Sequence, residues 1–310
     1  TYNHERFIRE AIESVFAQEV DFPIELIIGE DCSTDNTRAI VKEVCEGAKF
    51  PVYLLTASRN LGMHENFRRT LESCRGEFVA LIEGDDQWLG KDKLKIQVAA
   101  LLADEKKSFC YHRSKSRIIG PSEEQQMRRG HSDGMIWPEQ EIVPASFENL
   151  IGRFLIPTAS VVFRRALFPT LPHWCNQLPW CDWPLYLLLL DKGDAIFLPF
   201  VRSIYCVHAG GVSELVNEKK YHRGAALTYL GVVGGMSRSR RILCTQNALM
   251  SWSNWIEANG SLSLESLMVW FRILGRSRES IGLARNAIGR FIFALSPKFF
   301  SLLSKARRSL

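Results

Sequence analysis

No two of the eight cysteines form a C-x-x-C pair; Cys32, Cys45, Cys74, Cys110, Cys175, Cys181, Cys206 and Cys244 are scattered along 310 residues. Such scatter excludes a zinc-ribbon pattern and argues against a disulfide framework, so reduced thiols in a reducing compartment are expected. The closest pair, Cys175 and Cys181 with His173 nearby, has a spacing unlike that of zinc sites, and ordinary thiols are expected there too. Long apolar runs are also missing. Pro184 to Leu190 is too short to cross a bilayer and no signal-peptide pattern is found, so the expected location is cytoplasmic, at most peripheral to the inner face of the cell membrane. The first two thirds carry no Lys/Arg stripe with interleaved aromatics, and the formal charge is a modest +5, so nucleic acid is not an expected partner. An initiator Met and a strand ahead of Thr1-Tyr2-Asn3 are lacking as well, and a few further residues are therefore expected before Thr1.

What is present is a hydrophobic content of 46%, enough for a sizeable core in one large domain or in a domain with an appendage. The first half alternates apolar runs with amphipathic segments. Strands are expected at Glu25 to Gly29, Val52 to Thr56, Phe78 to Ile82 and Ser108 to Tyr111, with helices at Asp35 to Gly47, His64 to Arg75 and Lys91 to Asp104. That order predicts an α/β fold with a mostly parallel sheet flanked by helices. Ligands of such sheets bind beyond the carboxyl ends of the strands.

From Arg113 to Gly134 the chain is polar and irregular and reads as a surface loop. A second lobe is expected after it. Thr158 to Phe163 reads as a strand, Asp182 to Leu190 as a helix, and Ala195 to Val207 as two short strands broken at Pro199. Helical signals dominate beyond Tyr221, and residues 270–310 are strongly basic. This tail suits either an anionic membrane surface or a helical appendage packed by its apolar face. The expected divisions are residues 1–112, 113–223 and 224–310.

Two acidic clusters lie at strand ends. Glu30-Asp31-Cys32-Ser33-Thr34-Asp35-Asn36-Thr37 leads from a strand into a helix; its carboxylates suit a base or ribose, and its small polar residues suit a helix cap. Glu83-Gly84-Asp85-Asp86-Gln87-Trp88 ends another strand. Adjacent carboxylates repel, and a divalent cation with phosphate and water ligands relieves that repulsion; a solvated acidic turn is the alternative.

Together the clusters resemble the inverting family 2 glycosyltransferases of GT-A fold, over about Thr1 to Ser213. Thr1-Tyr2-Asn3 resembles the end of that family's P-T-Y-N turn, Asp31 to Thr37 its D-x-S-x-D-x-T segment, and Asn60-Leu61-Gly62 its N-x-G loop. Glu83 to Trp88 resembles its D-x-D region, Thr158 to Arg165 its acceptor-side strand, Asp182-Trp183 its catalytic-base segment, and Tyr205 to Ser213 its closing Y-R-x-H-x-G-G-x-S stretch. Their order along the chain carries the match.

The resemblance implies a Rossmann-like GT-A domain with a C-terminal helical appendage, binding a nucleotide-sugar donor and a glycan or lipid-linked acceptor. Tyr2, Asp31, Asn60 and Asp85 would hold the nucleotide sugar, for which UDP is the expected nucleotide. Asp86, with His208, would hold Mn2+ or Mg2+ bridging the diphosphate. Asp182 would be the base that deprotonates the acceptor hydroxyl during a single inverting displacement. Asp182 before Pro184 also suits a helix opening, and His208 also suits a structural role. Gly210 and Gly211 would close over the donor or simply turn the chain. Two positions depart from the family pattern: Glu83 stands in place of Asp, and Cys206 in place of an Arg that would meet phosphate. A nucleotidyltransferase would show a Gly-rich basic loop, which Thr1 to Arg9 do not contain. A binding or scaffold protein of the same fold is the remaining alternative.

Overall fold

Apolar residues recur at Ile8, Ala11, Ile12 and Val15, the spacing that puts one stripe of a helix against a core. In the computed structural model these residues are buried in α1 (Ile8–Phe16), a helix not among those expected above. The structure describes residues 1–120, 132–141, 143–153, 156–168, 170–211, 216–234 and 236–259, with 265, 268, 269, 272 and 273. Apart from residues 272 and 273, the basic tail of 270–310 lies outside them, as do Val212 and Ser213 of the closing stretch.

The expected alternation follows α1. Strand β1 (Leu26–Gly29) pairs in parallel with β2 (Val52–Leu55), and α2 (Thr37–Cys45) supplies the crossover that a parallel pair needs. Helix α3 (Met63–Ser73), strand β3 (Phe78–Ala80), the short β4 (Gln87–Trp88) and helix α4 (Lys93–Ala103) come next. They lead into β5 (Phe109–Ile119), which is partnered by β6 (Ile136–Trp137). After α5 (Phe147–Leu150), a 3-10 turn at Thr158–Ser160 precedes β7 (Val162–Arg164). Helix α6 (Asp182–Leu190) matches the expected bounds, and its nearly continuous apolar sequence is almost wholly buried. The last strand is β8 (Ala195–His208).

The fold class is the expected α/β GT-A type, but the pairing is less parallel than predicted. Of the pairs described, β1 with β2 and β5 with β8 are parallel, whereas β3 with β7, β5 with β7, β4 with β8 and β5 with β6 are antiparallel. The larger sheet runs in the order β3-β7-β5-β8-β4.

Two other expectations fail for identifiable reasons. Arg113 to Ile119, expected in a loop, continues β5. Its polar residues are strand residues with partners: Ser114 Oγ and Ser203 Oγ lie 2.5 Å apart, and Ser116 Oγ donates to Ser132 O at 2.6 Å. Pro199 does not divide β8 into two strands. It sits where the register with β5 shifts, at a position where no ladder N–H is required.

By internal contacts the chain forms two units, Thr1–Leu215 and Val216–Leu310, while positions 112 and 223 fall inside β5 and inside α7 (Glu218–Val232). The second unit contains α7 and α8 (Arg238–Asn259). Among the described residues no helix is long and apolar enough to cross a membrane.

Candidate active site

The chemistry gathers at the carboxyl ends of β1, β3 and β8, with the start of α6. Asp31, 2% exposed, follows β1 and is fully engaged: Oδ1 accepts from Leu61 N at 2.7 Å and Oδ2 from Gly62 N at 2.9 Å. Asn60 completes this loop, donating through Nδ2 to Asp31 O at 3.2 Å and accepting at Oδ1 from Gly62 N. Gly62 has φ +87°, a conformation that other residues rarely adopt. Asp31 and the Asn60-Leu61-Gly62 loop, singled out separately in the sequence, are in direct contact, with Asp31 and Asn60 shaping the loop. Tyr2 stands at the edge of this region, 41% exposed.

Glu30, beside Asp31, is structural. Its carboxylate accepts from Ser33 N and Arg38 Nε, each at 2.6 Å; burial pushes its pKa up, and these bonds more than reverse that.

The second acidic cluster bends away from β3 into the core. Asp85 Oδ2 lies 3.0 Å from His208 Nε2 at the end of β8, and its Oδ1 lies 3.8 Å from His4 Nδ1. One ligand atom from each of His4, Asp85 and His208 falls within 4.8 Å of the others, a set able to hold a cation. Asp86, 2% exposed, points elsewhere. Its Oδ1 accepts from Cys206 N at 2.9 Å, whereas Oδ2 is buried without a hydrogen-bond partner. Burial first, then the charges of Glu83 and Asp85, push the Asp86 carboxyl well above the usual range. The cysteine at 206, where the resemblance expects Arg, contributes its backbone N–H here.

Glu83 is exposed at the turn after β3, yet protein atoms crowd its carboxyl. Loss of hydration, then the charges of Asp85 and Asp182, raise its pKa to about 8. Asp182 opens α6 and accepts from Trp183 N at 2.8 Å and from Thr158 Oγ1 at 3.1 Å. Burial raises its pKa, and those two bonds offset part of the rise. The structure therefore brings Glu83, Asp85, Asp182 and His208 into one electrostatic neighbourhood.

Sequence reasoning missed two contributors. Thr158 was read only as strand, although its hydroxyl meets Asp182. His4 lies in the opening turn, one residue past Tyr2-Asn3, and the signal was a histidine among turn residues. Cys181 Sγ meets His64 Nδ1 at 3.3 Å with Cys175 close by, and all eight cysteines are free thiols.

An α/β sheet with acidic residues at its strand ends and a further carboxylate at a helix start acting on one of them defines a GT-A glycosyltransferase domain. The chain belongs to glycosyl transferase family 2, whose profile matches residues 1–168. An uncharacterised protein of Mycobacterium tuberculosis is 35% identical over 215 residues, covering 68% of this chain and 58% of that protein. The chain thus spans less than two thirds of that relative's length. The structure of Staphylococcus aureus TarS 1-349 in complex with UDP-GlcNAc superposes with a TM-score of 0.54 at 19% identity, covering 89% of this chain and 78% of that one. The mannosyltransferase PcManGT from Pyrobaculum calidifontis, in complex with GDP-Man and Mn2+, gives 0.53 at 15% identity, covering 96% and 84%.

Proposed function

We propose that this protein transfers a sugar from a nucleoside-diphosphate donor, with UDP first among the nucleotides, to a hydroxyl of a glycan or lipid-linked acceptor with inversion. The observation that carries this reading is that Glu83 feels the charges of both Asp85 and Asp182, which puts the Asp85–His208 pair and the candidate base within the electrostatic reach of one carboxylate. The donor side is carried by the elements from α1 to α4 and the acceptor side by those from β5 to β8. Tyr2, well exposed in the opening turn, would hold the nucleobase, while Asp31 and Asn60 keep the neighbouring loop in shape.

A divalent cation suits the donor set. Asp85 and His208 offer one carboxylate and one imidazole side by side, which supports Asp85 over Asp86 as the ligand. When bound, Mn2+ or Mg2+ supplies Lewis-acid neutralisation of the departing diphosphate. Asp182 takes the acceptor proton as that oxygen attacks the anomeric carbon and the glycosidic bond to the diphosphate breaks. Its raised pKa brings it nearer to neutrality, which makes it a stronger base than an exposed carboxylate. Thr158 fixes one of its oxygens, leaving the carboxylate oriented.

The test is turnover of a panel of nucleotide sugars with and without Mn2+, comparing the full chain with Asp182→Asn. Donor binding with loss of turnover in Asp182→Asn is the expected result. If no donor binds, a scaffold role replaces the transferase reading.

A further inference from the structure

We propose that His4 is a third protein ligand of the cation, coordinating through Nδ1 alongside Asp85 and His208. The assignment presupposes the cation reading above and adds a residue from the opening turn of the chain.

Three observations converge on it. The ligand atoms of His4, Asp85 and His208 lie mutually within 4.8 Å, a spacing that one ion can bridge after small side-chain adjustments. His4 Nδ1 is buried and has no hydrogen-bond partner, since Asp85 Oδ1 at 3.8 Å is too far to accept one. A buried ring nitrogen left unpaired costs free energy unless something meets it. Gly84 keeps the approach open: a Cβ there would lie 2.8 Å from His4 Nδ1 and 2.6 Å from Thr1 Oγ1.

The backbone of His4 is already committed, so the ring is held in place before any ion arrives. His4 N donates to Thr37 Oγ1 at 2.7 Å, and His4 O accepts from Phe7 N and Ile8 N at 2.9 Å each. The ring stands edge-on to His208, with centroids 6.1 Å apart at 85°. Coordination through Nδ1 puts the proton on Nε2.

Two consequences distinguish this site from one built on Asp85 and His208 alone. Two imidazoles with one carboxylate favour Mn2+ over Mg2+, because nitrogen ligands suit the softer ion. The cation is also tied to the nucleotide side, because Asn3 N donates to Ser33 Oγ and Thr34 N to Asn3 Oδ1, joining the turn of His4 to the loop after β1.

The experiment titrates the full chain with Mn2+ alone, reading free ion by electron paramagnetic resonance and counting imidazole nitrogens by electron spin echo modulation. Two coupled imidazoles are expected in the wild type, and one in His4→Ala and in His4→Phe, the latter retaining a ring for packing. Both variants should bind Mn2+ about tenfold or more weakly, with a narrowed preference over Mg2+. A single coupled imidazole in the wild type, or unchanged affinity in both variants while His208→Ala loses the ion, overturns the role of His4 and spares the cation reading. Absence of Mn2+ binding by the wild type overturns both. The nitrogen count in the wild type decides the matter even if a variant fails to fold.

Discussion

Thr158 Oγ1 donates to Asp182 Oδ2 across 3.1 Å, fastening the proposed base to the 3-10 turn ahead of β7. Burial holds the Asp182 carboxyl above its ordinary range, and this bond is the largest of those that pull it back down. The base works only when ionised, so activity is lost as pH falls through its pKa. The acid limb of kcat/KM is therefore expected above the usual carboxylate value. Removing the donor in Thr158→Val moves that limb to still higher pH, because the ionised form loses a stabilising bond. A pH profile of kcat/KM for both proteins checks this, and coincident limbs would refute the coupling.

Asp31 predicts a stability effect separate from any nucleotide role. Its two oxygens satisfy Leu61 N and Gly62 N, and Asp31→Ala leaves both amides of the loop before α3 without these partners. A loss of about 2 to 4 kcal/mol is expected in urea unfolding. Asp31→Asn keeps one acceptor oxygen and should lose roughly half of that. A loss in Asp31→Ala below about 1 kcal/mol would show that water replaces the carboxylate at little cost.

Lys93 is wholly buried at the start of α4. Its Nζ has no hydrogen-bond partner and sits 4.1 Å from the centre of the Trp88 ring. Burial pulls its pKa from 10.5 down to about 7. Between those values the unfolded chain holds a proton that the folded chain lacks, so stability rises with pH across that window. The penalty is therefore largest below about 7. Lys93→Met should raise stability by on the order of a few kcal/mol at neutral pH, with the advantage shrinking as pH approaches 10. Urea unfolding at a series of pH values measures it; a gap independent of pH would mean that the ammonium finds hydration in the fold.

Much of the first half was legible because local pattern and final environment agree. The apolar runs of β1, β2 and β3 become strands packed against the core, and the strand ends carry the acidic residues where such sheets bind ligands. Legibility failed where tertiary partners override local character. Ser114 and Ser116 look like loop residues until Ser203 and Ser132 are seen to satisfy them. The site shows the same division. Asp31, Asp85 and Asp182 announced themselves by motif, whereas His4 and Thr158 gain their chemistry only when the opening turn meets β8 and the 3-10 turn meets α6.

The irregularity at Pro199 sets the phase of the catalytic face. Leu198 pairs with His112 but Ser203 with Ser114, so β8 uses five residues where β5 uses two. Side chains alternate across a strand, and every residue after the slack inherits its facing from that count. Deleting one residue there would exchange the two faces downstream, turning His208 away from Asp85 and taking the Cys206 N–H from Asp86. The length of this small bulge is thus as much a part of the proposed site as its side chains, and a homologous chain with one residue more or fewer between positions 198 and 203 would have to meet Asp85 with a different residue.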